Sequence, residues 1–470
     1  MKIYNTLSKT IEDFIPRDDK LVTMYTCGPT VYHYAHIGNL RTYMMEDVLE
    51  KTLRYSGYNV KRVMNITDVG HLTSDADTGE DKMLKGAKRE HKTVLEIADF
   101  YKKAFFEDCE KLNIKTPDVI EPATNCIPEF IKTIQGLMDK GYAYFANGNV
   151  YFDTSKLEEY NVLTNHQSEE LKVGVRDDVS EDTNKRNKTD FVLWFTKSKF
   201  EDQELKWESP WGYGYPGWHI ECSCISMKHC GEYLDIHCGG IDNIFPHHTN
   251  EIAQSEAYLG HKWCNYWFHV HHLNDESGKM SKSKGEFLTL SLLLSKGYDP
   301  LAYRFFCLQS HYRKPLTFSY DALDQAQATY KKLINKISSL KDDGNVDLAF
   351  VNDNHKKFEE ILGNDLNTAL GITNVYDVLK ANVSDSTKLA ALKDIDYVLS
   401  LGLVTDKEEQ ETISEKSDFE IEIEKLIEER KEAKKAKNYA RADEIRNYLK
   451  EKGVVLTDTP QGTTYTITNG

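Results

Sequence analysis

Leu21-Val22-Thr23-Met24-Tyr25-Thr26, followed by His36-Ile37-Gly38-Asn39, is the stretch that decides the fold. The first run is apolar and β-branched, the pattern of a buried strand. The second opens a helix over 40–56, with Leu40, Met44, Val48 and Leu53 on one face and Gly57 as its stop. Residues 60–66 read as a further buried strand, so the chain starts a nucleotide-binding α/β domain with a β-α-β unit. A strand-to-helix junction collects anions, because the unpaired N–H groups of the first helical turn and the positive dipole end face the same point. His36, Gly38 and Asn39 are therefore expected at nucleotide phosphates.

Far downstream, Lys279-Met280-Ser281-Lys282-Ser283 sets two ammonium groups three residues apart, between Gly278 and Gly285. Such a run suits a flexible cationic loop that closes over a polyphosphate. Each run alone also fits an ordinary turn or a solvated loop. Together, in this order, they resemble the two signatures of class I aminoacyl-tRNA synthetases.

A chain of 470 residues exceeds one core and predicts several domains. No apolar run approaches the roughly 18 residues that cross a bilayer, and Met1-Lys2-Ile3-Tyr4-Asn5 lacks a signal-peptide pattern, so a soluble, cytoplasmic protein without membrane contact is expected. Nine cysteines, an odd number, fit free thiols in a reducing compartment better than a disulfide framework. The net charge of −16 argues against indiscriminate nucleic-acid binding and confines any RNA contact to local patches.

The expected class is α/β: a Rossmann-like parallel-sheet catalytic domain split by an insertion, then a helical bundle and a small C-terminal α/β module. The expected boundaries are 1–116 and 207–320 for the two catalytic halves, 117–206 for the insertion, 321–405 for the bundle and 406–470 for linker and module. Within these, 127–140 reads as a helix, 142–152 as a hairpin, and 322–340, 355–379 and 386–401 as bundle helices. A Lys- and Arg-rich helix over 427–452 and a β-like tail over 454–467 close the chain. No internal repeat is evident.

Cys27 ends the first strand, Cys222 lies in Pro216-Gly217-Trp218-His219-Ile220-Glu221-Cys222, and His247 and Glu251 sit one helical turn apart. Two thiolates, an imidazole and a carboxylate make a possible zinc set. The cysteines also fit as small core residues and the His247-His248 pair as helix filling. A zinc hydrolase lacks support, since no glutamate lies between two suitably spaced histidines and the lysine run would stay unexplained.

These blocks, with Tyr25-Thr26-Cys27-Gly28-Pro29-Thr30-Val31-Tyr32, Asn65-Ile66-Thr67-Asp68, Asp235-Ile236-His237, Phe245-Pro246-His247-His248, Ala442-Asp443-Glu444-Ile445-Arg446 and Asp458-Thr459-Pro460-Gln461-Gly462-Thr463-Thr464, resemble cysteinyl-tRNA synthetases over essentially the whole chain. The resemblance implies one zinc ion held by Cys27, Cys222, His247 and Glu251, which selects the substrate thiolate over a serine hydroxyl. It implies ATP bound as its Mg²⁺ complex at His36, Gly38, Asn39, Lys279, Met280, Ser281, Lys282 and Ser283, with His36, Lys279 and Lys282 catalytic. It places Gly28, Thr67, Trp218 and Asp242 around cysteine, and implies tRNA(Cys) as acceptor, with Lys431, Lys434, Lys435 and Arg446 at its phosphates and Asp458 at a base. A monomer is expected. Joining cysteine to a small amine, or a non-catalytic RNA-binding role, are the alternatives; the tail argues against the first, and the retained His36, Lys282 and zinc set against the second.

The chain departs from the family pattern where Asn39 replaces a frequent second histidine, where Tyr215 replaces an arginine before Pro-Gly-Trp, and where Thr249 replaces a glutamate. The acidic segment 70–86 is longer than the simplest family pattern and has no assigned role.

Overall fold

The computed structural model describes residues 1–69, 93–164, 184–197, 205–275, 278–279 and 288–404, and in the C-terminal part 423, 426–427, 429–431, 433, 438–452, 454–459 and 462–467. The segment 70–86, most of the charged stretch 169–189 and the linker 406–424, apart from Ile423, lie outside the described residues. The described chain forms two compact units, Met1–Val404 and Thr405–Gly470.

The first unit opens with an antiparallel pair, β1 (Lys2–Asn5) and β2 (Thr10–Asp13). Then come β3 (Val22–Thr26), α1 (Ile37–Tyr55), β4 (Val60–Ile66), α2 (Val94–Lys111), β5 (Val119–Pro122) and α3 (Ile127–Asp139). An antiparallel sheet follows, β6 (Ala143–Ala146), β7 (Asn149–Phe152), β8 (Phe191–Phe195) and β9 (Tyr215–Pro216). The chain returns through α4 (Trp218–Cys230), β10 (Leu234–Gly240), α5 (Thr249–Leu259) and β11 (Cys264–Val270). Together these complete a five-stranded parallel sheet in the order β11-β10-β3-β4-β5.

That order makes β3 the centre from which the sheet grows both ways. The crevice beyond the carboxyl ends of β3 and β10 is the switch point at which open α/β sheets bind ligands. Side-chain alternation along the strands builds a core on each face. Val22, Met24 and Met64 join α1 and the later helices, whereas Tyr25 and Val63 join α3, α4 and the antiparallel sheet.

Past β11 come a small sheet of β12 (Leu273–Asp275), β13 (Gly278–Lys279) and β14 (Leu316–Thr317), with α6 (Leu290–Ser295) and α7 (Pro300–Leu308) between. Helices α8 (Tyr320–Ser338), α9 (Leu348–Leu362), α10 (Thr368–Lys380) and α11 (Asp385–Leu399) make the bundle. The second unit holds α12 (Tyr439–Glu451) and the hairpin β15 (Val454–Thr459) and β16 (Gly462–Ile467).

Four details differ from the sequence reading. Helix α1 starts at Ile37 rather than 40, because the His36 side chain caps it. The helix expected over 355–379 is broken into α9 and α10: Asp365 and Leu366 take left-handed φ values of 58° and 54°, and the Asn367 side chain caps α10. Periodicity misses this break because a tertiary demand sets it, the buried Asp365 carboxylate accepting from the Tyr4 N–H at 2.9 Å and the Tyr312 hydroxyl at 2.5 Å. The helix expected over 427–452 begins anew at Tyr439, capped by Asn438. Strand β5, inside the segment read as insertion, belongs to the parallel sheet; with four residues and prolines at 117 and 122 it carries too short a pattern to announce itself.

A buried charge cluster fixes α1 to the helices behind it. Asp47 Oδ2 accepts from Lys51 Nζ at 2.8 Å and Arg304 Nη2 at 2.7 Å, and Oδ1 accepts from the Lys115 N–H at 2.8 Å. Burial alone would raise the Asp47 carboxyl, but Arg304, Lys51 and the hydrogen bonds outweigh it and hold it below the ordinary 3.8. Asp47→Ala strands a fully buried Arg304, and the expected loss is about 3–5 kcal/mol, read as a lower thermal midpoint. The wild-type protein keeps this contribution above pH 3.8 and loses it as the pH falls below, so the gap between wild type and variant should close in acid.

Candidate functional site

A cavity of about 330 Å³ in the first unit opens at the switch point. Cys27, Gly28 and Trp218 line one end, His36, Gly38 and Asn39 another, and Gly239, Gly240, Asp242, His271 and His272 a third side. Residues as distant in sequence as Gly28 and Gly240 meet here because β3 and β10 pair side by side and both helices that follow start at this edge.

At the phosphate-type end, His36 is the N-cap of α1, and its Nδ1 accepts from the Asn39 N–H at 3.2 Å. With Nδ1 an acceptor, the neutral ring carries its proton on Nε2 as a donor. A Cβ on Gly38 would lie 2.9 Å from the His36 ring, so glycine leaves that ring its place. The same helix start anchors the lysine loop. The Ile37 N–H donates to the Leu288 carbonyl at 2.9 Å, His36 bridges Thr289, and the Lys279 backbone pairs with Asn274 in the β12–β13 hairpin. Met280, Ser281, Lys282 and Ser283 lie outside the described residues, yet both ends of their loop are tied beside α1.

At the other end four donors converge. Cys27 Sγ lies 3.8 Å from Cys222 Sγ, which lies 3.5 Å from His247 Nε2, which lies 3.0 Å from Glu251 Oε1. Cys27 follows β3, Cys222 is on α4, and a π-turn (Ile244–His248) running into α5 carries His247 and Glu251. These atoms all lie within 4.8 Å of one another. Cys27, His237, His248 and Glu251 form a second set within the same limit. The sets share a thiol and a carboxylate, and the extra histidines are bonded around them: His237 Nε2 to Glu251 Oε2 at 2.8 Å, and His248 Nε2 to Cys27 Sγ at 3.3 Å with its Nδ1 2.8 Å from His269.

Burial raises the Cys27 and Cys222 thiols above their usual range and pushes the Glu251 carboxyl up to about 8. It drives His237 and His269 down to about 3 and lowers His248 as well, leaving neutral imidazoles. Glu251 Oε1, though buried, has only the 3.0 Å approach of His247 Nε2 and no well-aligned hydrogen bond. A buried, underbonded carboxylate beside two thiols and neutral imidazoles is costly by itself, and a divalent cation would satisfy it. The donor set therefore fits zinc.

Gly28 donates its N–H to Asn65 Oδ1 at 2.8 Å, and a Cβ there would lie 1.6 Å from the Asn65 carbonyl oxygen. Trp218 is the first residue of α4, its ring centroid 4.9 Å from that of His247. Asp242 is half exposed, 3.3 Å from His272 Nε2. Thr67, in contrast, is buried away from the cavity lining, donating to Glu221 Oε2 at 2.8 Å and accepting from Asn65 Nδ2 at 3.1 Å. Two of the three replaced family positions make structural contacts: Tyr215 stacks on Phe195 at 4.9 Å, and the Thr249 hydroxyl donates to the Ile244 carbonyl at 2.7 Å. In the second unit Lys431 and Arg446 are exposed and Asp458 pairs with Thr463 in the hairpin, while Lys434 and Lys435 lie outside the described residues. Sequence reading missed His219, whose Nδ1 lies 2.8 Å from His247 Nδ1, and the roles of His237, His248 and His269, although period-two spacing of Trp267 and His269 on one strand hinted at a shared face.

A doubly wound parallel sheet whose first helix is capped by a histidine at the switch point is the fold of class I tRNA synthetase catalytic domains. Residues 13–328 match the family model described as the tRNA synthetases class I (C) catalytic domain, and residues 416–465 that of the Cysteinyl-tRNA ligase anticodon binding domain. The cysteine–tRNA ligase of Treponema denticola is 47% identical, covering 99% of both chains, and that of Borreliella burgdorferi 43% identical, covering 98% of both. A methionyl-tRNA synthetase structure from Mycobacterium tuberculosis shares the fold at 14% identity, with a TM-score of 0.54, covering 81% of this chain and 91% of that one. The chain belongs to the cysteine–tRNA ligase family.

The Thr67 hydroxyl ties β4 to α4 through Glu221. Thr67→Val keeps the volume but withdraws the donor from a buried carboxylate, and should cost about 1–3 kcal/mol of stability by thermal unfolding, with zinc content unchanged.

Proposed function

We propose the following division of labour for the cysteine–tRNA ligase activity of this chain. Cysteine is first activated by ATP to an adenylate and then passed to the 3′-terminal ribose of its tRNA. The observation that carries this reading is the cavity itself, lined at one end by Cys27, which belongs to the converging donors Cys27, Cys222, His247 and Glu251, and at another by the capped start of α1. Zinc, when held by those four donors, supplies a soft Lewis acid that prefers the substrate's sulfur to a serine hydroxyl. His237 and His248 hold Glu251 and Cys27 in place around it.

Gly28 leaves room for the substrate backbone, Trp218 walls the pocket and Asp242 receives the ammonium group. Thr67 acts from behind, holding β4 to α4. His36 donates from Nε2 to the phosphates beside the Gly38 N–H and the Asn39 side-chain amide, and the lysine loop brings Lys279 and Lys282 over the departing pyrophosphate. Such chemistry is positioning and charge neutralisation, with Mg²⁺ arriving on ATP. The second unit reads the tRNA, with Lys431, Lys434, Lys435 and Arg446 at phosphates and Asp458 at a base. We further expect a cytoplasmic monomer; among the described residues no helix is long and apolar enough to cross a membrane.

Cysteine-dependent ATP–pyrophosphate exchange, with serine as control and zinc measured by elemental analysis in the same sample, tests the assignment. Exchange specific for cysteine with about one zinc per chain is expected, and Cys222→Ser should lose the zinc together with the preference over serine. A variant that keeps its zinc sinks that ligand. Lys282→Ala should slow exchange by about 10²-fold or more with little change in the Michaelis constant for cysteine, as expected for a contact made in the transition state; a fall in thermal midpoint with the rate spared would mark a structural lysine instead.

A further inference from the structure

A second cavity of the first unit, about 340 Å³, lies between the turn after α7 and the start of α10, where Ser310, His311, Arg313, Lys314, Asn367 and Ala369 line it. We propose that it binds a backbone phosphate of the tRNA, an inference that rests on the ligase reading above. Its lining carries three basic side chains and no acid, on a chain whose net charge is −16. The Arg313 guanidinium is set in advance: Nε donates to Asp365 Oδ2 at 2.7 Å, and the group lies over the Tyr4 ring, 4.7 Å from its centroid. Asp365 is buried beneath the pocket, where it pairs with Arg313 and lies 3.6 Å from His311 Nε2, so it offsets one cation and leaves the Lys314 ammonium uncompensated. Lys314 is exposed, and its ammonium has no hydrogen bond or ion pair among the described residues.

The backbone of this pocket is wired to the catalytic cavity. Arg41, five residues past His36 on α1, donates Nη1 to the carbonyls of His271 and His272, which line the catalytic cavity, and Nη2 to those of His311 at 3.3 Å and Lys314 at 3.0 Å, which line this one. The His271 N–H donates to the Tyr312 carbonyl at 2.8 Å, and the Leu316 N–H to His272 at 3.1 Å. A polyanion repelled by most of an acidic surface is captured where cations cluster, and a pocket braced to the reaction chamber suits the one substrate long enough to touch both. Free phosphate shares the chemistry but would not need that link.

The test is aminoacylation and tRNA binding by the full-length protein carrying Lys314→Ala or Lys314→Glu, over a range of salt. The charge reversal should raise the Michaelis constant for tRNA about fivefold to tenfold, and each variant should flatten the log–log salt dependence of tRNA binding by about 0.7 to 0.9, one phosphate's share. Cysteine-dependent pyrophosphate exchange should match wild type. Unchanged tRNA binding and salt slope would overturn the proposal, as would Lys314-dependent binding of inorganic phosphate that leaves tRNA binding untouched. Exchange and tRNA affinity falling in parallel would mark a structural lysine and overturn it too. Absence of cysteine-dependent exchange in the wild type would defeat the ligase reading, whereas a Lys314-dependent salt slope in the binding assay alone would still support the phosphate pocket.

Discussion

The rest of the structure depends on how α1 is held. Its first turn makes the phosphate-type end of the cavity, so any slide or tilt of the helix would move His36 and the anchored end of the lysine loop. Apolar packing alone permits small slides, because dispersion is non-directional. The directional constraints come from two buried charges on the same helix: Asp47, tied to Lys51, Arg304 and the Lys115 amide, and Arg41, tied to four carbonyls. Ion pairs this deep bring little net stability over an apolar replacement, but they penalise every arrangement that breaks them. Here that penalty keeps α1 in register with the helices that follow the lysine loop.

The donor cluster follows the opposite economy. Asp47 is matched by cations, whereas Glu251 sits among thiols and neutral histidines with one oxygen lacking a well-aligned hydrogen bond. The fold holds this uncompensated group by its backbone. Cys27 is fixed by the end of β3, where Gly28 lies so close to Asn65 that no side chain fits, and Cys222 by α4. The π-turn turns His247 and Glu251 inward together, while Thr249 closes that turn with its hydroxyl.

Much of this was legible in the sequence. The strands at 22–26 and 60–66 and the helices near 127–139, 320–338 and 385–399 follow from apolar periodicity, and the four donors that the resemblance implied do converge. Local pattern failed where a distant partner decides. Asp365 breaks a helix because Tyr4, Tyr312 and Arg313 come to it from elsewhere in the chain, and β5 is a strand only because β4 offers an edge. The histidine shell was hidden for the same reason. His219, His237, His248 and His269 sit on four separate elements, and each looks like an isolated core residue until the sheet brings β10 and β11 side by side.

That shell also bears on how an arrangement this specific can be kept ready. A flexible loop carrying two thiols and a carboxylate would relax away from its own repulsion and hydrate, losing the geometry that a bound group needs. On strand ends and helix starts the donors cannot retreat, and neutral imidazoles bonded from outside, His237 to Glu251 and His248 to Cys27, restrict the rotations that remain. Preorganisation of this kind moves the cost of assembling the site from the binding event to folding, where the cores on both faces of the sheet can offset it. The phosphate-type end needs no such shell, because the capped start of α1 already presents its first turn to the cavity. The two ends of one cavity are thus built by different physics, rigid buried donors for a small soft group and a capped helix start for a large charged one.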